Sequence, residues 1–96
     1  MGYPEEKSQE AKDQIAEWFR EGVRRGATHM FIVRDNFALE DYQVYVLADE
    51  DAEKKYILYS SDGDHAVMEI YSLAIDMDFQ LSEKRAWHMN GAGNIH

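Results

Sequence analysis

The run Met30-Phe31-Ile32-Val33 constrains the fold of this chain more than any other feature of its sequence. Its residues favour β-strands and the run is too short for a helix, so we predict a strand over 28–34. Because the run does not alternate with polar residues, both faces of this strand must be covered by other parts of the chain. With 96 residues, 45% of them hydrophobic, the chain has the material for one domain with a single core.

An amphipathic pattern before this strand predicts a helix over about 8–25, with Ser8 as its N-cap and Gly26 as its C-terminal stop. Its apolar positions follow steps of three and four residues and give one stripe, which consists of Ala11, Ile15, Trp18, Phe19, Gly22 and Val23. After the strand, the segment Tyr42 to Ala48 alternates between two faces and predicts a second strand. The connection between them is short, so the two strands should pair as an antiparallel hairpin.

The segment 52–60 has two interpretations. The acidic residues Asp49-Glu50-Asp51 suit the positive end of a helix, with Asp49 as the N-cap. The alternative is a third strand over 54–60, because Tyr56-Ile57-Leu58-Tyr59 has a high β propensity. We favour the helix, since an acidic start is a physical mechanism and propensity is a weak guide.

A helical period returns after the loop Ser61-Asp62-Gly63-Asp64 and predicts a long helix from about His65 to Trp87. Its apolar positions are Val67, Ile70, Tyr71, Ala74, Met77 and Leu81, while Glu69 falls on the polar side. The predicted fold class is therefore α+β: a helix, an antiparallel β-hairpin and then two helices, in one domain over 8–89.

Such a domain would have a two-stranded sheet, which is marginally stable alone and leaves unpaired edges. Pairing the hairpins of two copies would give a four-stranded sheet and remove one edge. Several large aromatic residues exceed what one small core should hide, and aromatic residues are enriched at interfaces. They are Tyr42, Tyr45, Tyr56, Tyr59 and Trp87. We therefore predict a symmetric homodimer whose interface includes the hairpin and part of the last helix.

The charge balance excludes several kinds of partner. The chain has 19 acidic residues against 10 Lys plus Arg, a formal net charge of -9. This balance opposes binding to duplex nucleic acid and docking on an anionic membrane surface. No apolar run approaches the ~20 residues of a membrane-spanning helix. The absence of cysteine excludes disulfides, zinc–thiolate sites, cysteine-ligated iron–sulfur clusters and thiol catalysis.

The two ends of the chain are polar. Residues 1–7 lack the cationic start and apolar stretch of a signal peptide, so we expect the protein in the cytoplasm. Residues 90–96 are mostly small and polar. We expect a flexible N-terminus over 1–7 and a flexible tail over 90–96.

Two stretches of the sequence are distinctive: Gly26-Ala27-Thr28-His29-Met30 before the apolar strand, and Glu40-Asp41-Tyr42-Gln43-Val44-Tyr45-Val46. They resemble a group of small proteins found in bacteria and their phages, and the resemblance covers most of 15–88. The group carries no assigned activity, and its members place a helix after the second strand. This chain has Arg34 where many members have cysteine and Gln43 where many have proline, so it could not share chemistry that depends on that cysteine.

Five residues near the hairpin are candidates for a functional site. His29 opens the first strand, and its unperturbed pKa near neutrality suits a ligand or an acid–base group. Arg34, Asp35, Asp41 and Tyr42 lie at the two ends of the hairpin connection, where they can form a polar pocket for a small ligand or a partner loop. The alternative interpretations are a structural, hydrogen-bonded histidine and a set of turn-forming, solvated residues.

A second candidate cluster ends the predicted long helix and consists of Lys84, Arg85, Trp87 and His88. Arginine and tryptophan together can hold a nucleotide by charge and stacking. The alternative is that these cations match the negative end of the helix dipole. The loop residues Asp62, Asp64 and His65 lack the later ligand positions of a calcium loop, so we predict no metal site. No cofactor motif is present, so we predict no cofactor.

These observations favour a small acidic binding protein without enzymatic activity, which occupies a partner protein or sequesters a ligand. An acidic surface suits a cationic channel of a partner. If the chain is encoded by a phage, the partner would be a host protein, including a defence protein, in the host cytoplasm. The alternative is a nucleotide-binding protein or small enzyme with a site across a dimer interface. The residues of that site would be Arg34, Asp35 and Asp41 with Lys84, Arg85 or His88.

Overall fold

Three antiparallel strands form the middle layer of the structure, a computed structural model that describes residues 7–89. The strands are β1 (Ala27–Asp35), β2 (Glu40–Leu47) and β3 (His65–Ser72), and their order in the sheet is β2-β1-β3. The predicted hairpin of β1 and β2 is confirmed. Because β1 lies in the centre, residues 30–33 are all buried, as their unbroken apolar run predicts.

One face of the sheet is covered by α1, Gln9–Arg24. The Ser8 hydroxyl accepts a hydrogen bond from the N–H of Ala11 at 3.1 Å, which confirms the predicted N-cap. Gly26 ends the helix with a φ of 76°, in the left-handed region that glycine adopts without strain. The core on this face consists of Ile15, Ala16, Phe19, Met30, Ile32, Tyr71, Leu81 and Ala86.

Gly22 sets the distance between α1 and the sheet. A Cβ atom at this position would lie 2.9 Å from side-chain atoms of both Leu73 and Tyr45. The Tyr45 ring cannot move away easily, because its hydroxyl donates to the carbonyl oxygen of Trp18 at 2.6 Å. The helix therefore approaches the sheet closely only because position 22 has no side chain. Val23, placed in the predicted stripe, is exposed instead.

The other face is covered by α2, Ala52–Ser60, so the helical interpretation is confirmed and the third strand over 54–60 is wrong. The N-cap is Asp51 rather than Asp49, because Asp51 directly precedes the first helical turn. Its carboxylate accepts the N–H of Glu53 at 2.9 Å. The core on this face consists of Phe31, Val33, Val44, Val46, Val67 and Ile70.

The long helix predicted from His65 to Trp87 is wrong. These residues form β3, the short helix α3 (Met77–Leu81) and an extended segment. The register of β3 on β1 shifts between Ile32 and Val33, and this bulge breaks the alternation that would have revealed a strand. Glu69, predicted on a polar face, is fully buried. The sheet therefore has three strands where the sequence pattern predicted two.

The outer edge of β3 is covered by residues 85–88, here called the edge segment, and by Gln80. Backbone hydrogen bonds of 3.0 and 2.9 Å join Ile70 to the segment as a short parallel bridge. Arg85 is the first residue of the segment, and its Nε donates to the carbonyl oxygen of Met68 at 2.7 Å. Gln80 bonds both the N–H and the carbonyl oxygen of Ser72. This chain therefore closes the edge of β3 by itself.

The outer edge of β2 is covered along half of its length by two side chains. Lys55 Nζ donates to the carbonyl oxygen of Tyr45 at 3.0 Å and to Glu50 Oε1 at 2.8 Å. Glu50 Oε1 also accepts the N–H of Leu47 at 2.9 Å. Pairing of two hairpins edge to edge would have to displace Lys55. The homodimer stays a prediction. The interface predicted for it, however, used a two-stranded sheet and a long last helix, and the structure has neither among residues 7–89.

Lys7 is buried, although we grouped it with the flexible N-terminus. Its ammonium group lies 3.0 Å from Glu69 Oε2 and also donates to the carbonyl oxygen of Glu83. An ion pair in the core explains this position, since a buried carboxylate needs a charged partner. The rest of the segments predicted to be flexible, 1–6 and 90–96, lies outside the described residues.

Candidate functional site

The turn between β1 and β2 is held by the side chain and backbone of Asp35. Its Oδ1 accepts the N–H groups of Phe37 at 2.9 Å and Ala38 at 3.2 Å. Its carbonyl oxygen accepts the N–H of Leu39 at 2.7 Å. The geometry supports the interpretation of Asp35 as a turn-forming residue, because its Oδ1 and its carbonyl oxygen both accept from the backbone of the turn.

The turn is attached to the loop that follows α2. The N–H of Asn36 donates to the carbonyl oxygen of Asp64 at 2.9 Å, and its side-chain amide donates to that of Gly63 at 3.3 Å. Asp62 in turn accepts the N–H of Asp64 at 2.7 Å. These hydrogen bonds therefore join the two loops into one continuous surface. It comprises residues 35–40 and 62–64 and is here called the hairpin end.

Two large apolar side chains of the hairpin end are exposed to solvent. Phe37 is 81% exposed and Leu39 is 73% exposed. Leu39 has a φ of 57°, in the left-handed region, which costs a residue with a Cβ atom roughly 1–2 kcal/mol. Backbone strain of this kind is concentrated at functional sites. The hairpin end thus holds two apolar side chains in solvent on a turn whose backbone is fixed and strained.

The hairpin end also carries four carboxylates, here called the acidic rim. Asp35, Glu40, Asp62 and Asp64 all belong to the hairpin end. Hydrogen bonds from the backbone N–H groups of Ala38 and Phe37 lower the pKa of Asp35. A hydrogen bond from the N–H of Asp64, followed by one from His65, lowers the pKa of Asp62. Both shifts favour the ionised carboxylates, so the hairpin end that carries the two apolar side chains is negatively charged.

The lowered pKa values predict how stability depends on pH. A group whose pKa is lower in the folded state stabilises the fold above its unfolded value, near 3.8 for Asp35 and Asp62. That contribution should be lost as the pH falls through the folded values. Asn at both positions keeps the turn-forming oxygens without the charge, so Asp35→Asn with Asp62→Asn should flatten the fall in unfolding free energy below about pH 4. Chemical denaturation across this range measures it; an unchanged slope would contradict the assignment.

Arg34 and Asp41 form a cross-strand ion pair beside the hairpin end. Arg34 Nε donates to Asp41 Oδ1 at 2.7 Å, and Nη2 donates to Oδ2 at 3.3 Å. The two residues oppose each other in the register of β1 and β2, on the face that α1 covers. The structure brings these two of the four predicted hairpin residues together, and their opposite charges pair with each other.

Tyr42 lies on the opposite face of the sheet from the Arg34–Asp41 pair. Its ring packs edge-on against His65 with the ring centroids 6.2 Å apart, and Tyr59 packs on the same His65 at 6.3 Å. Burial, followed by the negative charges of nearby groups, raises the pKa of Tyr42. The four predicted residues at the hairpin therefore do not line one common pocket, because the sheet separates Tyr42 from the ion pair.

The second predicted cluster lies along the outer edge of β3. The Arg85 guanidinium carbon lies 4.2 Å from the centroid of the Trp87 ring, and its nitrogens donate to the carbonyl oxygens of Met68 and Val67. His88 Nε2 lies 2.7 Å from Glu83 Oε1. The guanidinium nitrogens that would bind a phosphate thus already donate hydrogen bonds to the backbone of β3. Lys84 is exposed.

Trp87 packs against Tyr56 of α2, whereas the Arg34–Asp41 pair lies on the face of the sheet that α1 covers. The sheet therefore separates Trp87 from this ion pair within one copy.

His29 lies in β1 between Val46 and Ser72 of its neighbouring strands. Its Nδ1 lies 2.9 Å from the Thr28 hydroxyl, while its buried Nε2 has no hydrogen-bond partner among residues 7–89. Burial lowers the pKa of His29, and the nearby backbone of Met89 partly opposes that shift. Burial therefore favours the neutral form of the ring, which agrees with the interpretation of His29 as a structural histidine.

Sequence reasoning missed the residues that define the hairpin end. Phe37 and Leu39 were not predicted as functional residues, although two large apolar residues between turn signals are unusual in a solvent-exposed turn. That composition was the available signal. Asn36 was correctly assigned to the turn, but its bonds to the 62–64 loop join residues that are far apart in sequence and follow no local pattern.

We found no match to this chain among models of known protein families, among curated proteins or among solved structures. No helix within 7–89 has the length and apolar character needed to cross a membrane. Within the same residues, no three histidine or acidic side chains come together as a set that could hold a metal ion.

Proposed function

We propose that this protein is a small acidic binding module without enzymatic activity, and that it uses the hairpin end to occupy a basic cleft of a partner protein. The observation that carries the proposal is the exposure of Phe37 and Leu39 on a fixed, strained turn. An aromatic side chain that inserts into a partner's pocket is the usual source of most of the binding energy of an interface.

The acidic rim defines the chemistry of the partner. Negative carboxylates around an apolar anchor attract a positively charged surface, speed association and reject acidic partners. A channel that binds nucleic acid has this positive charge, so a nucleic-acid-binding protein is the class of partner that fits. The resemblance to bacterial and phage proteins points to a host protein, including a defence protein, in the host cytoplasm.

The test uses a basic amphipathic peptide of alternating lysine and leucine, with a glutamate-for-lysine version as the charge control. We expect NMR shifts on adding the basic peptide to be confined to 35–40 and 62–64 and to weaken as salt is raised. Phe37→Ser should weaken this binding by roughly 30-fold, which corresponds to the ~2 kcal/mol of a strong interface residue. Shifts elsewhere, or equal binding of the acidic peptide, would contradict the proposal.

Leu39→Gly separates binding from folding. Glycine relieves the left-handed backbone strain, so the free energy of unfolding should stay within about 1 kcal/mol of the original protein. Loss of the exposed side chain should still weaken peptide binding. The matched control is Ile57→Gly on exposed α2, which should lower helix stability by ~1 kcal/mol and leave peptide binding unchanged.

A nucleotide screen tests the alternative function. A nucleotide at about 100 times its dissociation constant adds ~2.7 kcal/mol to the stability of the folded state, which a thermal-shift measurement detects. Because Arg34 and Arg85 are both engaged within the chain, we expect no shift from nucleotides. A clear shift that is lost in Arg85→Ala would favour the nucleotide-binding function instead.

A further inference from the structure

The helix α2 packs on the sheet through its inner side, while apolar side chains on its outer side are exposed to solvent. Tyr56 packs edge-on against Phe31 with centroids 6.5 Å apart, and Tyr59 packs against His65. None of the nine residues of α2 is fully buried. On the outer side, Ile57 is 59% exposed and Leu58 is 65% exposed. A helix that covers a core while presenting two adjacent aliphatic side chains to solvent has an unpartnered outer face.

The charge of this face differs from that of the rest of the chain. The helix carries one glutamate and two lysines, in a protein whose formal net charge is -9. The outer stripe at helical spacing is Lys54, Ile57, Leu58 and Ser61. Two copies that approach through α2 therefore meet less of the repulsion that opposes contact between the more acidic parts of their surfaces.

Most of the two outer sheet edges is already occupied within one copy. The edge of β3 is closed by the edge segment and Gln80, and half of the β2 edge is covered by Lys55. Strand pairing between copies at the covered positions would break these bonds before forming new ones. Contact through α2 breaks none of the hydrogen bonds that close the two edges.

We propose that the outer face of α2 is the interface of a symmetric homodimer. Two copies pack their α2 helices in antiparallel fashion about a two-fold axis near Ile57 and Leu58. In this arrangement Lys54 at one end of the helix lies towards Asp62 at the other end of the partner's helix, and two such attractions form per dimer. The occupant of the face is thus a second copy of this chain.

The interface extends beyond α2. A nine-residue helix is only about 13 Å long, too short to bury the ~800 Å² per partner of a standard protein interface. Exposed Trp87 lies next to the helix, with its ring centroid 5.8 Å from that of Tyr56. Trp87 and the Arg85 stacked on it continue the same surface without adding negative charge. Aromatic and arginine side chains are the types enriched in such interfaces.

Sedimentation measurements at low and high salt test the assembly. We expect the mass of a dimer at micromolar concentration, with tighter association at high salt because screening weakens the repulsion between the two acidic copies. Leu58→Glu should weaken dimerisation at least about tenfold, whereas Leu39→Glu at the hairpin end should leave it unchanged. Both positions are exposed, so both variants should still fold as monomers, and Leu58→Glu should lose only the stability that dimerisation adds. A monomer under every condition, or an undisturbed dimer with Leu58→Glu, overturns the proposal.

A crosslinking experiment locates the interface independently of stability. The chain has no cysteine, so a single introduced cysteine reports only on its own position. Leu58→Cys lies near the proposed two-fold axis, where two copies can approach within the ~7 Å between Cα atoms that a disulfide needs. Mild oxidation should therefore link Leu58→Cys as a covalent dimer and leave Leu39→Cys monomeric. Linkage at position 39 but not at 58 would place the contact at the hairpin end and overturn the assignment.

Discussion

Replacing Lys7 by methionine should lower the free energy of unfolding by about 3–5 kcal/mol, the usual cost of removing one partner of a buried ion pair. Lys7 Nζ lies 3.0 Å from Glu69 Oε2, and both side chains are shielded from solvent. The Glu69 carboxylate also accepts the Tyr71 hydroxyl at 2.9 Å and the N–H of Ala86 at 2.8 Å. Without Lys7, these two neutral donors would face a buried negative charge alone. Denaturant unfolding monitored by tryptophan fluorescence measures the loss.

A double-mutant cycle separates the charge from the packing. Adding Glu69→Gln to Lys7→Met removes the buried charge, while the amide can still accept from Ala86 and donate to the Tyr71 oxygen. We expect the double variant to recover more than about 1 kcal/mol relative to Lys7→Met. Lys84→Met, at an exposed position, is the matched control and should change stability by less than about 0.5 kcal/mol. A similarly small effect of Lys7→Met would show that the ion pair is not buried in solution.

Replacing Gln80 by leucine should cost about 3 kcal/mol, because it leaves two buried backbone groups unpaired at ~1–3 kcal/mol each. Gln80 is fully buried, and its Oε1 accepts the N–H of Ser72 at 2.8 Å. Its Nε2 donates to the carbonyl oxygens of Ser72 at 2.9 Å and Ile75 at 3.1 Å. The amide thus replaces the strand that would otherwise pair with the end of β3.

Hydrogen exchange shows whether this loss is located at the sheet edge. In Gln80→Leu, the Ser72 amide should exchange faster than in the original protein relative to central amides of β1. Gln80→Glu keeps the shape but turns a donor towards the Ser72 carbonyl into an acceptor, so it should also be destabilising. Gln14→Leu, on the exposed side of α1, is the control for added apolar area. Equal stability of Gln80→Leu and Gln14→Leu would rule out this function of the amide.

The two proposed contact surfaces use different parts of the fold. The hairpin end lies where β1 turns into β2, and the outer face of α2 covers one side of the sheet. Each has its own aliphatic test residue, Leu39 for the partner protein and Leu58 for the second copy. Because neither residue belongs to the core, the two proposals can fail independently of each other and of folding.

Local signals in the sequence were sufficient to predict the helices and strands of residues 8–60. Ser8 and Gly26 mark the ends of α1, because a capping hydroxyl and a left-handed glycine act within one helical turn. The apolar run of 30–33 predicted a strand covered on both faces. The acidic start before α2 predicted the helix against its β propensity, although the cap is Asp51. At the hairpin, the sequence placed Arg34 and Asp41 at the two ends of one short connection, and the structure pairs them.

The secondary structure of residues 65–88 was decided only by tertiary contacts. Val67, Ile70 and Tyr71 follow helical steps in the sequence, but the bulge in β3 places Val67 and Ile70 on one face and Tyr71 on the other. The polar residues of this region looked solvated, yet Glu69 is buried. It is neutralised by Lys7, which lies 62 positions earlier in the chain. Partners at that distance leave no periodic trace, because periodicity records which face of an element is covered and not which residue covers it.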